Sequence, residues 1–299
     1  MGAVTEAAMK KLTNLYPIYD KIFKANEDMK GSNRDSLFTV KPMKGAAARM
    51  GTIVGLDRMK PFAGSFEEDT ITMGHTKTLI PDELGLKVTV ERKLYDDDEY
   101  GIVADIPEMI GAAAKYSREV NVANYFGDSF SGSLTGDGLS LCNAAHTSAY
   151  DAAITFDNVG SDALTATSLE TARQAMIGVR DDRNNKSQAY NPDLVIVPRA
   201  LEETIFEIVK TVGKVDVDLN NVNFHHGKYK YIVLDNLPSS VDWWIVDSAK
   251  MKRFLVWLER VNIEFKQDVD FNTLQRMYSA YERYTYGAVE WRWIFGNNV

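Results

Sequence analysis

From Asp105 onward, apolar residues recur at Ile106, Met109, Ile110, Ala113, Tyr116, Val120, Ala123 and Phe126, in steps of three and four. That spacing predicts a helix over 105–126 with one inward face, about 33 Å long at 1.5 Å per residue. Asp105 and Glu108 suit a capping-box start, Pro107 fits the first turn, and Gly127 supplies a stop. Immediately before it the period is two: Val88 and Val90 alternate with Lys87, Thr89 and Glu91, as in a half-exposed strand.

Upstream, the pattern loosens. Residues 48–86 combine several Gly, two Pro, many Thr and short alternating patches such as "TITM", which predicts a long two-stranded excursion with its tip around "DRMKPFAGSFEE". A lone hairpin is marginal in water, so this one is expected to lean on another surface. Residues 1–47 are polar and Lys-rich with scattered apolar anchors, and they read as an arm.

Downstream of a Gly/Ser loop at 127–140, a second helix is predicted to begin at Thr167 ("TSLE"), with Leu169, Ala172, Met176 and Val179 inward. A buried strand "DLVIVP" and a third helix carrying Leu201, Ile205, Ile208 and Val209 come next. The last third reads as strands: "YKYIVLD", "VDWWIVD", "RFLVWLE", "NIEFKQ", "TLQRMYSAYERYTYG" and "AVEWRWIF", the last with Trp291, Trp293 and Phe295 alternating against Arg292. The expected class is α+β or α/β, and of the two α+β is preferred.

Composition narrows the possibilities. The chain has 299 residues, 45% of them apolar, and no apolar run long enough to span a bilayer. Its single cysteine excludes an intramolecular disulfide and any zinc site built on several thiolates. A formal net charge of -8 argues against a surface that grips nucleic acid throughout, because that binding depends on Lys and Arg neutralising phosphates.

Chemistry candidates are few. Cys142 and His146 stand four residues apart in "DGLSLCNAAHTSAYD", the spacing that suggests a thiol and its base. They come after a Gly-rich loop, lack a recognisable nucleophile signature, and read better as a small buried thiol and a polar group at a loop or subunit contact. Asp137 and Gly138 are expected to make the turn before them, with Leu139 and Leu141 inward. His225 and His226 are adjacent, which on a strand sends them to opposite faces, so they read as turn residues instead of metal ligands. "DDRNNKSQAYNPD" fails as an EF-hand loop, and "GDSFSG" lacks the lysine of a phosphate loop. No catalytic, cofactor or metal residues are assigned.

The order of these parts resembles the tailed-phage major capsid proteins of the Hong Kong 97 type. The pieces that carry the likeness are "VTVERKLYDDD" leading into the helix to Phe126, "DGLSLCNAAH", "NPDLVIVPRALEETIFEIV", "YIVLDNL", "WWIVD" and "RMYSAYERYTYGAVEWRWIFG". The resemblance implies an N-terminal arm at 1–47, an extended loop at 48–86, a peripheral domain at 87–164 with its spine helix at 105–126, an axial domain at 165–262, a returning peripheral strand at 263–287 and a C-terminal strand at 288–299. It implies a structural protein, not an enzyme, that self-assembles through pentamers and hexamers into an icosahedral head around double-stranded DNA, without sequence-specific binding and without a membrane. Portal, scaffolding protein and maturation protease are the partners expected during assembly in the host cytoplasm, and the virion capsid is the expected location. The expected contacts with adjacent subunits are Arg58, Lys60 and Phe62 near the loop tip, Glu67, Glu68 and Asp69 on its flank, and the arm anchors Ile18, Ile22 and Phe23. The alternatives are an encapsulin-like compartment shell on the same fold and a cytoplasmic thiol hydrolase using Cys142 and His146.

Overall fold

The computed structural model describes residues 19–24, 32–57, 59–62, 64–66, 68–97, 102–186, 190–213 and 222–299. The strands in chain order are β1 (Thr39–Pro42), β2 (Ala48–Ile53), β3 (Met73–Leu79), β4 (Asp82–Val90), β5 (His146–Thr147), β6 (Thr155–Phe156), β7 (Val159–Gly160), β8 (Leu194–Pro198), β9 (Lys230–Leu234), β10 (Trp243–Val246), β11 (Leu255–Val269), β12 (Arg276–Ala288) and β13 (Ile294–Asn297). The longer helices among the described residues are α1 (Ile106–Gly127), α2 (Ala166–Gly178), α3 (Glu202–Lys210) and α4 (Ser248–Phe254).

Two sheets divide the body. The first has the order β1-β11-β12-β4, in which the long hairpin β11–β12 forms the centre and β1 adds in parallel at one edge. The second has the order β7-β13-β10-β8-β9, mixing parallel and antiparallel pairs. Its strand β8 is buried throughout, which explains why its sequence is an unbroken apolar run. Alternate residues serve opposite faces: Val195 and Val197 join Trp243 and Ile245 against α2 and α3, while Leu194 and Ile196 join Trp244 and Val246 on the other side.

That other side is the common core. Phe38, Val122, Tyr125, Phe126, Trp244, Trp257, Trp291 and Trp293 pack there, bringing α1, both sheets and the segment before β1 into one cluster. Each such side chain contributes about 1.5–3 kcal/mol on leaving water, so the cluster welds the halves into a unit. Packing is close enough that a Cβ on Gly296 would lie 2.7 Å from Cys142 Sγ and 2.8 Å from Trp244. Only glycine fits at that point of β13.

Several expectations are corrected. Helix α1 runs from Ile106 to Gly127, and Asp105 makes no side-chain cap bond. Met109 and Tyr116 of its predicted inward face are exposed, and Arg118 is buried instead. Helix α2 begins at Ala166, one residue before the predicted start, because Thr165 is the N-cap and exchanges hydrogen bonds with Ser168. "RFLVWLE" begins with the end of α4, and its Leu255–Glu259 continues with "NIEFKQ" as one strand, β11, with irregularities between Glu259 and Val261 and between Val261 and Glu264, so the boundary at 262/263 falls inside a continuous element. The boundary at 86/87 likewise falls inside β4, which pairs with β12 along its length. "AVEWRWIF" is a strand end, a turn and β13; Trp291 and Trp293 are both buried, and so is Arg292 between them.

Candidate assembly surface

Cys142 is buried, its sulfur hydrogen-bonded by Ser129 and the Gly296 backbone, and burial pushes its pKa well up, away from thiolate. His146 turns elsewhere: its Nδ1 lies 2.6 Å from Asp137 Oδ2, and its ring stacks on Trp291 at 4.2 Å with 6° between planes. Burial raises the Asp137 pKa, but hydrogen bonds from His146, Thr135 and the Leu139 amide outweigh it and hold the group down at about 2. His146 is therefore a fully buried partner of Asp137: of the two contacts expected of it, it makes the loop one and is closed to another subunit. Leu141 is buried as predicted, whereas Leu139 is only half-buried. The arrangement pins the loop after α1 to the turn before β13, and it offers a substrate no access.

The histidine pair behaves similarly. His225 is buried in a turn with Nε2 at 3.0 Å from the Ala166 carbonyl, and burial lowers its pKa. Among the described residues no group of three or more His, Cys, Asp or Glu side chains is placed to hold a metal ion. Also among them, no helix is long and apolar enough to cross a membrane.

Two buried ionic clusters stiffen the body. Arg118 of α1 donates to Glu282 of β12 from Nη2 and Nε at 2.6 and 2.9 Å. Arg292 spans Glu290 and Asp182, with Nη1 at 2.9 Å from one and Nη2 at 2.8 Å from the other. Both of those carboxylates lie outside the strands, so Arg292 ties the turn before β13 to the 181–185 turn.

Outside that body stands the hairpin β2–β3. Its ladder pairs Ala48 with Leu79 through Ile53 with Met73, and the Val54 amide closes it on the Thr72 carbonyl at 3.0 Å. Beyond this point the tip has no strand pairing among the described residues, yet it carries Leu56, Met59, Phe62, Phe66 and Ile71 in the open, Met59 at 99% and Phe66 at 92% exposure. The rings of Phe62 and Phe66 lean on each other, 5.1 Å apart. A patch of that kind on a lone chain marks a surface made for another one. On the body, a groove of about 500 Å³ runs between α1 and the β4–β12 edge, lined by Leu84, Leu86, Ile110, Ala113, Tyr116 and Tyr281. Met109, also exposed, lies on the same helix about two turns before Tyr116.

The residues predicted as contacts separate accordingly. Lys60, Phe62, Glu68 and Asp69 are exposed on the hairpin tip. Phe23 is fully buried in its own subunit, stacked on Phe265 at 5.2 Å, and Ile22 is half-buried beside it. Ile18, Arg58 and Glu67 lie outside the described residues. Sequence reasoning missed Arg183, which reaches the hairpin from a turn more than a hundred residues further along; only the unusually polar "DDRNN" run hinted at a built turn there.

A body closed by welded sheets, together with an apolar hairpin tip that stands exposed among the described residues, defines a subunit made for repeated self-association. Residues 76–297 match the family described as phage capsid protein, and the chain belongs to that family. No curated protein sequence matches it. Among solved structures, the capsid of cyanophage P-SCSP1u is 12% identical with a TM-score of 0.61, covering 90% of this chain and 88% of that one. The procapsid of bacteriophage JBD30 is 13% identical with a TM-score of 0.56, over 99% and 76%. A virus-like particle from Pyrococcus furiosus is 12% identical with a TM-score of 0.55, over 93% and 96%. The fold is thus the mixed helix-and-sheet capsid fold, and the chain is a structural capsid subunit, not an enzyme.

Proposed function

We propose that the chain forms the continuous wall of an icosahedral phage head enclosing double-stranded DNA, built from pentamers and hexamers. The observation that carries this reading is the hairpin tip, whose exposed Met59, Phe62 and Phe66 have no core of their own. In this reading Lys60, Phe62, Glu68 and Asp69 contact the adjacent subunit, together with Arg58 and Glu67 of the same segment. The sheet β1-β11-β12-β4 with α1 corresponds to the peripheral domain, and the sheet β7-β13-β10-β8-β9 with α2 and α3 to the axial one.

Individually modest contacts become a stable shell through closure and high effective concentration. The net charge of -8 suits a wall that does not adsorb the packed genome. Assembly takes place in the host cytoplasm with portal, scaffold and protease as transient partners. Electron microscopy of the purified protein tests the reading: regular closed particles are expected, and a protein that stays monomeric at high concentration, with scaffold supplied, refutes it. Particles that retain a protein cargo and no DNA would point to a compartment shell instead.

A further inference from the structure

We propose that Arg183 is an intramolecular clamp that fixes the direction in which the β2–β3 hairpin projects before any neighbour is engaged. Its consequence for assembly rests on the capsid reading, but the clamp itself is a property of the single subunit.

The two limbs of the tip are first tied together. The Asp57 amide donates to Asp69 Oδ2 at 2.9 Å. The same carboxylate then accepts from the body: Arg183 Nη2 lies 2.8 Å from Asp69 Oδ1 and 3.3 Å from the Thr70 carbonyl. Asn185 Nδ2 approaches Asp57 Oδ1 at 3.4 Å, so both limbs are reached from one turn. The guanidinium of Arg183 lies over the Tyr150 ring, 4.7 Å from its centre, which limits where the side chain can swing.

The mount of the clamp is rigid. Asp181 Oδ1 accepts the amides of Arg183 and Asn185 at 3.0 and 2.8 Å, and Asn184 adopts φ 63°, closing a tight turn. Asp182 fastens that turn to the body: its Oδ1 accepts from Arg292 Nη2 and the Ala149 amide, and its carbonyl accepts from Ser148 Oγ at 2.6 Å. The hairpin's base is held separately, by His75 Nε2 at 3.0 Å from the Thr147 carbonyl and by Lys77 on the Leu134 carbonyl. Two fixed points determine a direction; the base alone would leave a hinge.

Asp69 titrates below its usual range, chiefly through the Asp57 amide, with burial opposing and Arg183 assisting, so the clamp is charged at neutral pH. A hairpin already pointed loses less freedom on docking, which lowers the concentration at which subunits close into shells.

Hydrogen exchange on unassembled subunits measures the clamp, and light scattering measures the assembly threshold. In Arg183→Ala, amides of 54–57 and 69–72 should exchange roughly three- to tenfold faster, the range of a partly exposed charge-assisted contact, while those of β8 and β10 stay unchanged. The assembly threshold should rise by a similar factor. Asp69→Asn, made on the hairpin side, should speed tip exchange in the unassembled subunit the same way even if Arg183→Ala disturbs the turn. Unchanged tip exchange in both variants overturns the clamp. Faster exchange with an unchanged threshold overturns its role in assembly. Wild-type protein that forms no shells at all would instead refute the capsid reading, and the exchange experiment would still decide the clamp.

Discussion

Removing Arg118 should be among the most damaging single changes to the body. The side chain is buried, and so is its partner Glu282, with Nη2 to Oε2 at 2.6 Å. Arg118→Ala therefore takes from a buried carboxylate between α1 and β12 the guanidinium whose Nε and Nη2 both donate to its Oε2. Breaking a buried pair from one side costs about 3–5 kcal/mol, a hundredfold or more in the folded-to-unfolded ratio. Urea unfolding of unassembled subunits, followed by fluorescence of the five tryptophans, reads this directly, since all five are buried. The double variant Arg118→Met/Glu282→Leu should recover most of the loss, because replacing both charges by apolar groups removes the desolvation penalty. A deficit below about 1 kcal/mol would show that the pair is solvated and refute the reasoning.

The Asp137–His146 pair gives an acid signature. Because the folded Asp137 pKa of about 2 lies below its ordinary value of 3.8, its stabilisation is present above about pH 4 and lost as pH falls toward 2. Asp137→Asn should cost about 2 kcal/mol at pH 7 and converge on wild type below about pH 2, as read by urea midpoints across pH. Cys142, buried and kept protonated, should react with a thiol reagent roughly a thousandfold more slowly in the native subunit than in urea, because reaction awaits local opening; fast native labelling would restore the nucleophile reading.

What was legible in the chain tracks the range of the interactions involved. The hairpin was readable because alternation, glycine and proline act within a few residues, and the long helix because its period repeats over many turns. Which face of that helix is buried was only half readable. Periodicity cannot separate a core face from an apolar face left exposed, so Met109 and Tyr116 looked internal. Arg118 lies outside the apolar pattern, and its partner is 164 residues away. Two irregularities in β11 interrupt the period of two and made one strand read as two. Trp291, Arg292 and Trp293 imitate a pleated strand, yet Arg292 is held inside by Asp182 and Glu290. For Cys142 and His146, proximity in sequence carries no chemistry, in line with the sequence reading: the partner of His146 is Asp137, upstream of Cys142.

Strand β13 lies between β7 and β10, and β7 has no other neighbour in that sheet. The sheet consequently stays open until residues 294–297 have left the ribosome, although the adhesive hairpin was synthesised more than two hundred residues earlier. Unfinished chains carry the sticky element without the finished body behind it. A chain cut before residue 294 would leave β7 detached and one edge of β10 unpaired, and should aggregate more readily than a chain that includes β13.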